Sequence, residues 1–109
     1  MNRYSRMNRK ELKEEIRRLE EEETRARRSA MPGEEAVIRQ KINFAKSYLT
    51  DPATIRPGWY AVEGDDRRFR VERLNGVMAW GFWEGEKIES ALPIGILKPV
   101  PPPNPSEGE

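Results

Sequence analysis

Apolar positions in the first half of the chain recur every three or four residues. Leu12, Ile16, Leu19, Ala26 and Ala30 fall on one narrow seam, interrupted by Glu23, and Lys, Arg and Glu occupy most other positions. The spacing predicts a charged helix with a single buried edge. Its start is marked three times. Asn8 is a good N-cap, Glu11 three residues later completes a capping box, and Met7 and Leu12 are placed as a hydrophobic staple. Met31, Pro32 and Gly33 predict a turn. A second helix follows, with Glu34 and Glu35 at the positive end of its dipole and Val37, Ile38, Ile42, Ala45, Tyr48 and Leu49 along one side. Asp51 and Pro52 should end it. Two helices joined by so short a turn must run antiparallel.

From Pro57 and Gly58 onward the period changes from 3.6 to 2. Strands are predicted over residues 59–63, 68–74, 77–83, 87–92 and 98–100, with turns at 64–67, 75–76 and 84–86 and a 3₁₀ turn within 93–97. Asn75-Gly76 reads as a two-residue type I′ hairpin loop. That loop would set Arg70 opposite Gly81, Phe69 opposite Phe82 and Arg68 opposite Trp83. Phe69, Val71, Met78, Trp80 and Phe82 would then share the interior. Leu74, Val77 and Ala79 would lie outside near the turn, ready to receive the helices, with Arg68, Arg70, Gly81 and Trp83 beyond them. Trp59 and Tyr60 are adjacent, so one must face the core and the other must not.

Together these signals predict an α+β protein: an N-terminal arm and antiparallel helical hairpin (residues 1–52) packed on a five-stranded SH3-like β-barrel (53–100). A Pro-rich, PPII-like or disordered tail (101–109) follows.

Charged and apolar residues each make up 36% of the 109 positions, so the core must be small and rely on its nine aromatics. Cysteine and histidine are both absent. This excludes disulfides, thiolate nucleophiles, Cys- or His-ligated metal and any Ser-His or Cys-His pair. No phosphate-binding loop, dinucleotide-binding turn or G-x-S-x-G elbow occurs. The expectation is no cofactor, no metal and no enzyme activity. Net charge is only +1; the one local excess is the ten Lys/Arg against seven Glu of residues 1–33. The acidic run at 20–23 reads as a solvated helix face. No apolar run approaches the ~20 residues of a bilayer span, and no apolar region follows the basic N-terminus. A cytoplasmic protein without a membrane role is expected.

Several segments resemble one family: Arg3-Tyr4-Ser5 with Met7, Ala45-Lys46-Ser47-Tyr48-Leu49 with Asp51-Pro52, Glu63-Gly64, Leu74-Asn75-Gly76-Val77 with Ala79-Trp80-Gly81, and Ala91-Leu92-Pro93-Ile94. In this the chain is similar to the YfhH family of small cytoplasmic proteins from Firmicute-type bacteria, over about residues 3–98. The resemblance implies a helical segment on an SH3-like barrel and supplies no catalytic residues.

The function expected is a non-catalytic interaction or regulatory module, with a protein the first partner considered. Arg68, Arg70, Trp83 and Trp59 are the candidate partner-binding residues. The bland alternative is that Arg68 merely stacks on Trp83 across the strands. A second reading makes the same basic and aromatic patch a nucleic-acid site, helped by Arg25, Arg27 and Arg28. A third pairs the Leu12, Ile16 and Leu19 seam with a second copy, giving a homodimer through the hairpin.

Overall fold

The computed structural model describes residues 3–100. The tail expected at 101–109 lies outside the described residues. Two helices, α1 (Arg9–Arg28) and α2 (Pro32–Ser47), precede five strands: β1 (Gly58–Val62), β2 (Asp65–Asn75), β3 (Met78–Trp83), β4 (Ser90–Pro93) and β5 (Leu97–Pro99).

The start of α1 follows the sequence signals. Asn8 Oδ1 accepts the Glu11 N–H at 2.8 Å, and the Glu11 carboxylate accepts the Asn8 N–H at 3.0 Å. The arm before it is a 3₁₀ turn, Arg3–Arg6, which brings Tyr4 and Met7 against the helical seam. At the other end the Ala30 N–H reaches the Arg27 carbonyl and the Met31 N–H the Ala26 carbonyl. This is a Schellman closure, and its left-handed position holds Ala30 at φ 54° where glycine is usual. An Ala30→Gly chain should therefore be more stable by about 0.5–1 kcal/mol, read as a higher urea midpoint at unchanged slope.

The helices bury Leu12, Ile16, Leu19, Ile42 and Ala45 between them. The seam expected to recruit a second copy is thus already filled by α2 and the N-terminal arm. Val37 and Ala30, both read as seam positions, are exposed. Glu23, read as part of a solvated face, is only 6% exposed, because Arg39 on α2 grips its carboxylate through two hydrogen bonds of 2.7 and 2.6 Å. α2 ends at Ser47, three residues before the expected stop. Asp51 instead accepts the Ala53 N–H and caps a 3₁₀ turn, Pro52–Thr54.

All strand pairs are antiparallel, and the order across the five-stranded sheet is β4-β3-β2-β1-β5. The outermost strands are the shortest, and each ends in proline, Pro93 or Pro99. The buried face of the sheet holds Tyr60, Val62, Phe69, Val71 and Ala79, packed with Ile55, Ile94, Ile96 and Leu97. Tyr60 is the inward member of the Trp59-Tyr60 pair. Its hydroxyl accepts the Arg56 N–H and donates to the Arg56 carbonyl, fastening the loop that leads into β1.

The β2–β3 register differs from the expected one. Asn75 pairs with Met78, Leu74 with Ala79 and Arg73 with Trp80. After a bulge at Glu72, Val71 pairs with Gly81, Arg70 with Phe82 and Phe69 with Trp83. The two loop residues are Gly76 and Val77, not Asn75 and Gly76. Only Gly76 has positive φ (61°), as in a turn with glycine first, whereas type I′ needs two such residues. The slip reverses β3. Ala79, Gly81 and Trp83 face the core, while Met78, Trp80 and Phe82 face out.

The hairpin does not sit on Leu74, Val77 and Ala79, which pack within the sheet's own core. It docks on the 3₁₀ turn Ile94–Ile96 that joins β4 to β5. Buried Ser47 donates its hydroxyl hydrogen to the Asn43 carbonyl and accepts the Gly95 N–H at 2.9 Å. Beside this contact Glu63, in the β1–β2 turn, takes a hydrogen bond from Lys46 at 3.0 Å and faces Arg39 at 3.8 Å. The sheet and the hairpin therefore keep separate apolar clusters and meet at one end of α2.

Glu15 and Glu63 are among the carboxyls whose pKa values are lowered in the folded chain. For Glu15 the hydrogen bond from Arg18 is the largest cause, and the charges of Arg18 and Arg3 add to it against burial. For Glu63 burial acts upward and is the largest single influence, but the Lys46 hydrogen bond and the charges of Lys46, Lys98 and Arg39 together outweigh it. Because the folded pKa lies below the ordinary 4.5, the stability these groups contribute is complete above that value. It is lost as pH falls through the folded pKa. Denaturant melts stepped from about pH 6 to about pH 3 should show a shallower acid decline for Glu15→Gln than for the unaltered chain.

Candidate binding face

Alternation along β1, β2 and β3 decides which side chains reach the face turned away from the sheet's core. Tyr60 and Val62 point inward, so Trp59 and Ala61 point outward. Phe69 and Val71 point inward, so Arg68 and Arg70 point outward. The bulge at Glu72 restores Arg73 to the same side, which an unbroken strand would have turned away from it. On β3 the outward set is Met78, Trp80 and Phe82.

Cross-strand pairing arranges these residues in rows. Trp59, Arg70 and Phe82 form one row across β1, β2 and β3. The Arg70 guanidinium carbon lies 5.8 Å from the Trp59 ring centre and 5.7 Å from that of Phe82. The next row sets Arg73 over Trp80 at 5.0 Å. On the other side Lys98, Ala61 and Arg68 line up across β5, β1 and β2. Among the described residues Arg68 and Lys98 form no side-chain ion pair, although the charge of Lys98 is felt at Glu63. Arg70 and Arg73 have loose acidic neighbours, Glu72 at 3.9 Å and Glu89 at 3.3 Å. Exposed pairs of this kind contribute about 0–1 kcal/mol each and leave the guanidinium groups available. Trp59 remains 47% exposed despite its neighbour, a large apolar ring in water.

Of the four residues named from the sequence, the structure brings two together, Trp59 and Arg70. Arg68 shares their face one row away. Trp83 does not: it packs edge-on against Phe69 in the core, with ring centres 5.4 Å apart and planes at 78°. Its exposed flank is covered by Arg67, 4.2 Å from the ring centre, not by Arg68. Arg67 is held there by Asp65, whose carboxylate accepts from both its Nε and Nη2. The Asp65 carboxyl is accordingly pulled below its ordinary pKa, chiefly by the Arg67 side-chain hydrogen bond. Gly81, read as a bare spot in the patch, is buried beneath the Arg70 carbonyl. Phe82, Trp80, Arg73 and Lys98 were not singled out, because the expected register put the two aromatics inside. Their signal was the small-residue alternation Ala79-x-Gly81, which suits a core side already filled by Phe69 and Val71.

The face offers three rings, Trp59, Trp80 and Phe82, and four cations, Arg68, Arg70, Arg73 and Lys98. Among the described residues no cluster of three or more Asp or Glu could hold a metal ion, and no helix is long and apolar enough to cross a membrane. Surface hollows occur elsewhere, at the α1–α2 tip around Met31, Glu34 and Ile38, and are open and mixed in polarity.

Comparison with known proteins is consistent along the whole described chain. A family described as "Protein of unknown function (DUF1811)" matches residues 2–98. The "Uncharacterized protein YfhH" of Bacillus subtilis (strain 168) is 41% identical over 98 residues, covering 88% of this chain and 94% of that relative.

Proposed function

The chain belongs to the DUF1811, YfhH-like family, and from the geometry of its outer sheet face we propose that it is a non-catalytic interaction module. The observation that carries this reading is Arg70 seated between Trp59 and Phe82 on a solvent-facing surface. Structural cation–π pairs at exposed sites stabilise by about 0.5–1 kcal/mol each. That is too little to explain leaving half of Trp59 in water, whereas a partner that covers the ring recovers the cost. The lack of histidine and cysteine in the sequence supports a binding role over catalysis. The strand order, with a 3₁₀ turn leading into β5 beside β1, supports an SH3-like curl of the sheet. A chain without cysteine also suits a reducing, cytoplasmic setting.

Quantitative co-purification tests this reading. Material recovered with the tagged chain should be lost when Trp59→Ala and Arg70→Glu are combined. It should be kept when Arg25→Glu and Arg28→Glu alter the exposed end of α1. Equal recovery with both double variants, or turnover in a broad substrate screen, overturns it.

A further inference from the structure

Outer-face chemistry narrows the partner, provided that this face is the working surface. We propose that it is a platform for single-stranded nucleic acid, with bases stacked on Trp59, Phe82 and Trp80 and phosphates held by Arg68, Arg70, Arg73 and Lys98.

Three features favour this occupant. First, the cations are interleaved with the rings. A protein-binding patch enriches arginine and aromatic rings but is depleted of lysine and of charge overall at its centre, so a cluster of four cations is more than such a patch needs. Here the centre of the patch is Arg70, with an aromatic ring on either side. A strand of nucleotides alternates flat apolar faces with negative charges and matches that order.

Second, the rings are spaced for one base each. Trp59 and Phe82 flank β2, two strand spacings or about 9.6 Å apart, and Trp80 and Phe82 are two residues apart on β3, about 6.8 Å. Among the described residues no ring contact joins Trp59, Trp80 and Phe82; Trp59 is exposed, while Trp80 and Phe82 are half-buried beneath Arg73 and Arg70.

Third, the guanidinium groups now lying over the rings can exchange places with bases. Arg70 lies 3.9 Å from Glu72 and Arg73 donates one 3.3 Å hydrogen bond to Glu89, while among the described residues Arg68 and Lys98 make no side-chain ion pair and Lys98 acts on Glu63 only through its charge. Swinging a guanidinium from a ring to a phosphate uncovers the ring and meets the charge in one movement. A duplex offers no unstacked base to such a platform. The acidic neighbours Glu72, Glu84 and Glu89 limit the net positive field, so binding should be modest and driven substantially by stacking.

Fluorescence anisotropy on the full chain tests the proposal. The probes are labelled mixed-sequence single strands of RNA and DNA about 12 nucleotides long, the corresponding duplex, and a labelled polyglutamate peptide. Single strands should bind saturably at about 50 mM salt and weaken toward 200 mM. Three or four phosphate contacts predict a log–log slope of about −2 to −3. Tryptophan emission should be quenched on binding. Trp59→Ala should lose about tenfold or more in affinity, and Trp59→Phe should restore most of it. Arg70→Gln should lower both affinity and salt slope, and Arg25→Glu with Arg28→Glu should leave both unchanged. Thermal melts of each variant establish that the sheet is intact, as expected for two exposed positions.

Absence of salt-dependent single-strand binding overturns the proposal. Duplex binding of equal strength also overturns it, as does binding lost only with the Arg25 and Arg28 changes. If polyglutamate binds more tightly and is lost with Trp59→Ala and Arg70→Gln, the nucleic-acid proposal fails while the face remains a binding surface.

Discussion

Gly81→Ala should destabilise the chain by at least about 3 kcal/mol, a fall in melting temperature of roughly 12 °C or more for a domain of this size. A Cβ at this position would fall on the Arg70 carbonyl oxygen, with the Arg70 carbonyl carbon and Val71 Cα close behind it. Those atoms belong to the neighbouring strand, hydrogen-bonded on both sides, and cannot turn away as a side chain end would. The bulge at Glu72 lies beside the same point, so relief would require undoing the β2–β3 pairing from Val71 to Phe69. The same substitution discriminates between registers. With Asn75 and Gly76 as the loop, Gly81 would face solvent and alanine would be tolerated within a degree or two. A nearly unchanged melt would therefore overturn the outward assignment of Trp80 and Phe82.

The second large effect is expected at the junction of hairpin and sheet. An added Cβ at Gly95 would lie 2.5 Å from the Ser47 backbone nitrogen, 2.6 Å from the Lys46 carbonyl carbon and 2.8 Å from Lys46 Cβ. Gly95→Ala must push the 3₁₀ turn off the end of α2 and stretch the Gly95–Ser47 hydrogen bond. A loss of about 2–3 kcal/mol follows. Ser47→Ala removes both the acceptor of the Gly95 N–H and the donor to the Asn43 carbonyl, without a steric clash, and should cost about 1–3 kcal/mol. Hydrogen exchange provides the sharper readout. Because each half has its own apolar cluster, Gly95→Ala should let α2 amides exchange well before those of β2 and β3. Uniform loss of protection across both halves would show that the contact does not govern their coupling.

Local signals in the sequence were reliable wherever the deciding interactions are local. The Asn8–Glu11 box spans three residues and forms as written. The break at Asp51-Pro52 was placed late, because Asp51 had a competing use as the cap of the following 3₁₀ turn. Glu23 was misread because its partner, Arg39, lies sixteen residues away on the other helix. The hairpin register failed for a related reason. An Asn-Gly pair announces a tight loop but not whether glycine takes its first or second central place, and each choice puts opposite residues of β3 inside. A bulge elsewhere in the ladder moves the pairing again. Arg68 and Arg70 share the outer face because Phe69 and Val71 set the parity of β2, whereas the choice between Trp59 and Tyr60, open in the sequence, is decided by the burial of Tyr60 against the sheet's core. Trp83, Phe82 and Trp80 exchanged sides with the slip.

The margins of the sheet have a consequence for how the molecule behaves in company. A fresh strand joining alongside β4 or β5 would find three or four residues to bond with, one of them lacking an amide hydrogen. Stacking of copies edge to edge into fibrils is thereby starved of a template. Even a crowded solution of the folded chain should therefore show no edge-to-edge growth.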